Sequence, residues 1–562
     1  QDSKVQVCKP LMPSATDAAS HSRCAWPVSV ARRRWRHCCQ FIFAWMLRVI
    51  SFYASCVDSL SAWFEGMFMY KRAVLMRMHV MTIRKTAFGR HHADYATNLD
   101  NLARLYKVMG AYVKAETLFK EARDIWRTLL GETHPDYAMS INRLADMYLA
   151  MGAFAEAEPL YAKARDICRT ALGTEHPDYA ATLTGMARLH EEMCAYEQAE
   201  HMYAEANAIL KESFPEQRLA YAMCLSSEAE LQQALGAYDK VEPLYTEARD
   251  IIRMLLGVHH PTYAAVLGKL ANFHLTMAAY AKAESLLLEA NAILEMNFGE
   301  QHPDYAKSLM DLAHLYDIMG PHAEPYHVDA KAIFKKTLGE EHHEYAMSLN
   351  NLGGFYQELG AFDKAEPLKI EAIAILRKTP GPQHPDYATG LSSLASLQQA
   401  IGAYSKAESL FSEARDVQHT VFGEWHPNFA NSLKNLAGLY QETGSCEGAE
   451  QLLLRATAIF KKTLGERHPD YALCLSSLAS LYQTTRAYEK AEPLFMEARD
   501  IRLMLFGDRH PAHALSLDGL ASLYLAMGAH DRAERLYTEA ANIKRAVFGE
   551  QHPAYARSLN NL

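Results

Sequence analysis

Hydrophobic positions in this chain recur at three- and four-residue spacing, in short blocks that come in pairs. Between Pro135 and Gly173 the first stripe is Ile141, Leu144, Ala145 and Tyr148. The second is Ala157, Leu160, Tyr161, Ala164, Ile167 and Cys168. That spacing lays one apolar face along an α-helix. Pro135 suits the first helical position, where no N–H is needed, and Asp136 meets the positive end of the helix dipole. Gly152 closes the first helix and Gly173 the second. The block therefore predicts two antiparallel helices, A and B, joined by short turns.

The block is copied along the chain. "GETHPDYAMSINRLADMY" begins at Gly131, "GTEHPDYAATLTGMARLH" at Gly173, "GEQHPDYAKSLMDLAHLY" at Gly299 and "GERHPDYALCLSSLASLY" at Gly465. The aromatic position of this element forms a ladder: Tyr95, Tyr137, Tyr179, Tyr221, Tyr263, Tyr305, Tyr345, Tyr387, Phe429, Tyr471, His513 and Tyr555. Its steps are 42 residues, except for one of 40. A catalytic constellation is needed once or twice in a chain. An element present twelve times is the unit of a stacked array.

Three columns of small residues run through the copies. One lies in helix A, from Ala103 and Ala145 to Ala521, with Gly353 as its exception. One lies early in helix B, from Ala115 and Ala157 to Ala533, with Val241 as its exception. The third follows seven residues later, from Ala122 to Ala540, and is alanine throughout. Large side chains there would force neighbouring helices apart.

The spacing Leu-x-x-Leu-Ala-x-x-Tyr, then Gly-x-Tyr-x-x-Ala, then Tyr/Phe-x-x-Ala resembles the tetratricopeptide repeat (TPR), whose usual unit is about 34 residues. The longer unit here, with "HPDYA" and "AEPLY", is similar to the kinesin light chain type. The resemblance covers Tyr70 to Leu562, and "IRKTAFG" (Ile83–Gly89) reads as the end of a preceding helix B. It implies an all-α fold, a right-handed α-solenoid of stacked antiparallel helix hairpins (a TPR superhelix). HEAT and armadillo arrays have a similar period but leave the three alanine columns unexplained. Kinesin light chains carry a heptad coiled coil that binds the motor. No sustained heptad precedes residue 90 here, so motor association is not carried over, and motor or cytoskeletal complexes stand as partners by resemblance only. "ESFPEQRLAYA" (Glu212–Ala222) lacks the His-Pro, and "GPHAEPYHVDA" (Gly320–Ala330) is two residues short, which predicts a bend or soft joint near 318–328.

The chain has 562 residues, 49% hydrophobic and 22% charged, with a net charge of −9. That balance gives no footprint for nucleic acid. Five of the ten cysteines lie at positions 8, 24, 38, 39 and 56, and the array holds Cys168, Cys194, Cys224, Cys446 and Cys474 without a CxxC. This usage fits a reducing, cytoplasmic setting. Residues 1–67 share nothing with the repeats. Within them "ARRRWRH" (Ala31–His37) precedes the mostly apolar Cys38–Val57, which has Arg48 at its centre. Three readings stand for this segment: a membrane anchor, a capping hydrophobic helix, or sequence that is not genuine protein. The ends read as cut, with the last repeat truncated.

The histidine before proline (His134, His176, His260, His302, His384, His426, His468, His510, His552) occurs once per unit and so spreads along the array. It reads as an imidazole bonding the turn between repeats, and neither a metal nor another cofactor is expected. No GxSxG, HExxH or GxxxxGK[ST] occurs, so the chain is read as non-enzymatic. The concave face, lined by helix A in this repeat type, changes character along the array. Early repeats carry mixed charge. From about 345 to 485 the column reads Gln357, Gln399, Gln441, Gln483, beside Asn350, Ser392, Lys434 and Ser476 and the small residues Gly354, Ser396, Gly438 and Ser480. Glutamine both donates and accepts, so it can pair with an extended peptide backbone. The first eight of these residues are the candidate peptide groove. The expected function is a non-catalytic scaffold binding peptides or proteins, of the kinesin light chain-like cargo or adaptor type. The alternative is the sensor or docking region of a larger signalling protein or enzyme.

Overall fold

The computed structural model describes residues 46, 48, 49, 51–61, 70–212, 217–320 and 322–562. The chain divides into two compact units, Gln1–Cys56 and Val57–Leu562. The described residues of the first are helical, with Met46, Val49, Phe52 and Tyr53 exposed. Of the apolar segment 38–57, residues 38–45, 47 and 50 lie outside the described residues, as do 1–37, 62–69, 213–216 and Pro321. Among the described residues, no helix is long and apolar enough to cross a membrane.

From Tyr70 to Asn561 the second unit is a succession of helices, with no strand among its described residues. A helix at Tyr70–Phe88 comes first, as the "IRKTAFG" ending predicts, and Asp58 before it pairs with Arg84 at 2.6 Å and Arg77 at 3.4 Å. Eleven hairpins follow, from Ala93–Val108 with Tyr112–Leu130 to Pro511–Ala526 with His530–Phe548, and then helix A of a twelfth unit, Pro553–Asn561. All alanines of the three small columns are 0–2% exposed, so the columns are the helix–helix contacts the sequence called for.

Two sets of hydrogen bonds tie the hairpins. The first tyrosine of helix A donates to a glutamate of its own helix B: Tyr95 to Glu121 at 3.2 Å, Tyr387 to Glu413 at 2.7 Å, Tyr471 to Glu497 at 3.1 Å. The last tyrosine of helix A donates to a glutamate of the preceding helix B: Tyr148 to Glu116 at 2.7 Å, Tyr316 to Glu284 at 2.8 Å, Tyr482 to Glu450 at 2.7 Å. One set closes the hairpin and the other stitches it to its neighbour. Helices A of adjacent repeats also approach each other more closely than helices B do, which puts A on the inner side of the curve.

The histidine column bonds the backbone at the turn between repeats, in one repeated geometry. Each imidazole is the N-cap of helix A, and its Nδ1 accepts the N–H two residues on, as from His134 to Asp136 at 3.2 Å and His426 to Asn428 at 3.0 Å. With Nδ1 accepting, the proton sits on Nε2. In the second half of the array that Nε2–H donates to a carbonyl 234 residues earlier: His342 to Val108 at 3.0 Å, His384 to Ala150 at 3.4 Å, His426 to Glu192 at 2.9 Å, His468 to Ala234 at 2.9 Å, His510 to Thr276 at 3.0 Å and His552 to Ile318 at 2.9 Å. The array therefore coils until its seventh repeat lies on its first. Aromatic pairs fill the same seam: Phe154 with Phe422 at 5.5 Å, Tyr238 with Phe506 at 5.3 Å and Tyr280 with Phe548 at 5.8 Å.

In the shortened repeat, helix B is Glu324–Thr337, 14 residues against 19 for Tyr112–Leu130. Its first turn is missing, and Ala323, elsewhere inside the helix, becomes the N-cap. Ala323 is nevertheless 0% exposed and packs with Leu352 and Phe355, so the core runs through the expected joint.

Candidate functional site

Helix A presents its outer columns to the inside of the coil, and the eight candidate groove residues all lie there half-buried. Three of the four glutamines reach forward to a hydroxyl on the next helix A. Gln357 donates to Ser396 at 3.3 Å, Gln441 to Thr484 at 3.3 Å and Gln483 to Ser522 at 2.9 Å. Gln399 makes no such bond. Ser476 donates to the Ala472 carbonyl at 3.0 Å and accepts from Arg502 at 3.1 Å. Lys434 donates to Asn431 at 2.9 Å, and burial pulls its pKa down against the opposing pull of Asp470. The Asn350 Oδ1 is buried with no partner. The structure thus sets the four glutamines one repeat apart on successive helices A, with the series of amide-to-hydroxyl bonds interrupted at Gln399.

Several charged side chains of the early repeats find partners within the array. Arg143 meets Asp100 at 2.7 Å, Lys269 meets Glu230 at 2.9 Å, and Lys107 donates to the Asp146 carbonyl at 2.9 Å. Between the first and second turns a cavity of about 580 Å³ opens. Glu230, Gln233 and Asn272 line one side, and Asn428, Asn431 and Asp470 the other.

The strongest departure from the repeat pattern was missed by sequence reasoning. In the helix B column of Phe119, Tyr161, Tyr203 and Tyr245, the residues at the sixth and seventh repeats are His327 and Lys369, and both are buried. The His327 Nε2 lies 3.0 and 3.2 Å from the two carboxylate oxygens of Asp317, while its Nδ1 is buried without a partner. The Lys369 ammonium donates to the Gln357 side chain and, at 3.0 Å, to the Ser393 carbonyl. Burial pushes its pKa down to about 8. Gly353, the exception in the alanine column, makes this possible: a Cβ there would stand 2.8 Å from the Lys369 Cγ. Beside these residues is a cavity of about 440 Å³ on the inner face. Its walls include Met310, Asp311, Asp317, Asn350, Phe355 and Glu358. Burial raises Asp311 to about 6, with Asn272 and Lys307 opposing. Burial also raises Glu358, and the nearby Asp317 adds to the shift.

Among the described residues, no group of three or more His, Cys, Asp and Glu is set to hold a metal. The cysteines of the array are free thiols, and burial pushes Cys194 and Cys224 up to about 12, which keeps them protonated and poorly nucleophilic.

The tetratricopeptide repeat model matches residues 94–169, 137–212, 344–418, 428–504, 486–546 and 512–562, and a second model of the same repeat matches 264–304. Together these cover more than half of the chain, which belongs to the tetratricopeptide repeat family. Repeats of this family generally form non-catalytic scaffolds for protein or peptide partners. Among solved structures, the chain is similar to a candidate kinesin light chain from Podosopora anserina with nearly identical TPR-like repeats, at 29% identity and a TM-score of 0.31, covering 37% of this chain and 98% of that one. It is also similar to BtubC (BKLC) from P. vanneervenii, at 23% identity and a TM-score of 0.33, covering 45% and 93%. A Rap protein complexed with Competence and Sporulation Factor aligns at 15% identity and a TM-score of 0.43, covering 66% and 99%. No curated protein sequence matches.

Proposed function

We propose that the array is a non-catalytic scaffold that holds extended peptide segments of partner proteins along its helices A, between Asn350 and Gln483. The glutamine ladder carries this reading. Its amides are half-buried, in line and spaced one repeat apart, and they sit beside Gly354, Ser396, Gly438 and Ser480, which leave room for side chains. Their bonds to neighbouring hydroxyls are neutral, and two of them are 3.3 Å long, so a peptide backbone can replace them at small cost. Gln399, with its amide uncommitted, is the natural first contact. In cellular terms this is an adaptor in the cytoplasm, akin to a cargo-binding light chain.

The test is an array of randomised ten-residue peptides probed with the full chain. The Gln399→Ala, Gln441→Ala double variant should weaken the selected peptides about tenfold, as for the loss of two neutral hydrogen bonds, while the far-UV circular dichroism melt stays in place. Unchanged affinity would remove the proposal.

A further inference from the structure

We propose that the array stacks head to tail on a second copy of this chain, with the histidine edge of the first turn in one copy seated on the A–B turn edge of the second turn in the other. The proposal is independent of the peptide groove. It extends between copies the seam that joins the two turns within one chain.

Each turn of the coil has two unlike edges. One carries the capping histidines, with the end of helix B just before them. The other carries the last carbonyl of each helix A and the A–B turn that follows. Within the chain, the histidine edge of the second turn lies on the A–B edge of the first. The accepting carbonyls belong to the last residues of helices A, among them Val108, Ala150, Glu192 and Thr276. Phe422 meets Phe154, and a Cβ on Gly152 or Gly236 would stand 3.1 or 3.5 Å from the Cδ of Pro385 or Pro469. The seam covers one edge of each turn. The two edges it leaves uncovered are of the same two kinds.

On the first turn, the side chains of His92, His134 and His176 keep 41, 42 and 40% exposure, against 14% for His384 and 9% for His468 in the seam. They cap their helices through Nδ1 just as the seam histidines do, which leaves the proton on Nε2 to be donated elsewhere. Leu129 and Leu130 are exposed beside them. On the second turn, helices A end at Ala400, Glu442, Thr484 and Ala526, the counterparts of the accepting residues. Nothing lies within 4 Å of a Cβ placed on Gly360, Gly402, Gly444 or Gly528. Tyr404 is 41% exposed where its counterpart Phe154 is 7%, and Leu359, Ile401 and Met527 are exposed along the same edge.

A row of exposed apolar side chains along one edge marks an interaction surface, and a second copy brings the matching one. Donors and acceptors both recur at 42-residue steps, His92 to His134 to His176 and Ala400 to Glu442 to Thr484. The seam shows that edges of these two kinds hold each other through one hydrogen bond per repeat and an apolar contact beside it. Because the edges differ, the contact is heterologous, and it continues as an open stack instead of closing on a two-fold dimer. Inside one chain the connection between the turns supplies a high effective concentration. Separate copies must offset the freedom they lose, so the association depends on concentration.

Analytical ultracentrifugation of the full chain at pH 7.5 tests this. The weight-average mass should rise with concentration and pass two copies without a plateau. A mass of one copy up to about 100 µM would overturn the proposal, and so would a plateau at two. Two sets of substitutions at the open edges then assign the contact. Leu359→Lys, Ile401→Lys, Met527→Lys charges the A–B edge of the second turn. Leu130→Glu, His134→Asn, His176→Asn removes donors and apolar surface from the first turn, while asparagine still caps the helices. Neither set touches the seam within the chain, so both variants should melt as the wild type does. Each variant alone should keep the mass of one copy over the whole range. Mixed in equal amounts they should form a dimer and stop there, since one retains the histidine edge and the other the A–B edge. Either variant associating as strongly as the wild type, or a mixture that stays at one copy, would overturn the head-to-tail contact.

Discussion

The Nε2 of His426 lies 2.9 Å from the carbonyl oxygen of Glu192, 234 residues earlier in the chain. The same ring accepts the Asn428 N–H on Nδ1 and stacks on Phe422 at 4.0 Å. One imidazole thus caps its own helix and joins two turns of the coil, and it does both only as the neutral tautomer with its proton on Nε2.

Acid should therefore loosen the seam. Burial pushes His426 down to about 4, and it also lowers His342, His384, His468 and His510 from the usual 6.5. The charged groups facing these rings are Glu344 and Lys307 at His342, Asp386 at His384 and Asp470 at His468, and the acids oppose the shift in part. A histidine with a depressed folded value holds its full stabilisation above about pH 6.5. It loses this as pH falls toward the folded value, by about 1.4 kcal/mol per unit per ring at most. Small-angle scattering should show a larger radius of gyration at pH 4.5 than at pH 7.5, with far-UV circular dichroism nearly unchanged. An identical radius at both values would contradict the seam.

The two halves of the histidine column should respond differently to mutation. His134 caps its helix through Nδ1, whereas His426 does so and also donates across the seam. His134→Ala removes one cap, worth about 1 kcal/mol. His426→Ala should cost about 1 kcal/mol more and, unlike His134→Ala, raise amide exchange at 192–196. Equal exchange in the two variants would refute the distinction.

Much of this was legible in the residues. The alanine columns and the glycine stops act over one helix contact or one turn, so the hairpin, its length and its stacking follow from local size and spacing. The seam does not follow in that way. The histidine appears alike in both halves of the chain, and whether its second nitrogen meets a carbonyl depends on a small rotation per repeat accumulated over six repeats. The glutamine ladder was visible as a column, but its links to Ser396 and Thr484 depend on how closely helices A approach. The cavity beside His327 did leave a signal. His327 and Lys369 interrupt an otherwise aromatic or aliphatic column, and Gly353 interrupts an alanine one in the same place.

Lys369 and Gly353 should behave as a coupled pair. Gly353→Ala puts a methyl 2.8 Å from the Lys369 Cγ and should cost about 1–3 kcal/mol as an overpacked contact. Most of that should vanish on a Lys369→Ala background. Lys369→Met alone removes a buried ammonium whose folded value of about 8 lies below the ordinary lysine range. The wild type is then penalised at pH 7, and the penalty fades as pH rises from about 8 toward 10.4. The variant should melt higher than the wild type at pH 7, with the gap narrowing by pH 9.5. A gap that stays constant with pH would show that the charge is not responsible.

The turn between helices A and B offers a further test of the coil. Gly152 and Gly402 occupy it with φ of 68° and 84°, while Ala278 and Arg486 hold the same left-handed conformation at 53° and 60° with a Cβ in place. Ala278→Gly and Arg486→Gly should each stabilise the array by about 1 kcal/mol, since only glycine adopts that region freely. The reverse change separates local strain from the seam. Nothing lies within 4 Å of a Cβ at Gly402, whereas a Cβ at Gly152 would stand 3.1 Å from the Cδ of Pro385, the proline of the overlying turn. Both substitutions impose the same backbone cost, so the excess loss in Gly152→Ala measures what the contact between turns contributes. Thermal melts should show Gly152→Ala falling further than Gly402→Ala, and scattering should show only the former expanding. Equal losses and equal radii would mean that the turns do not touch in solution.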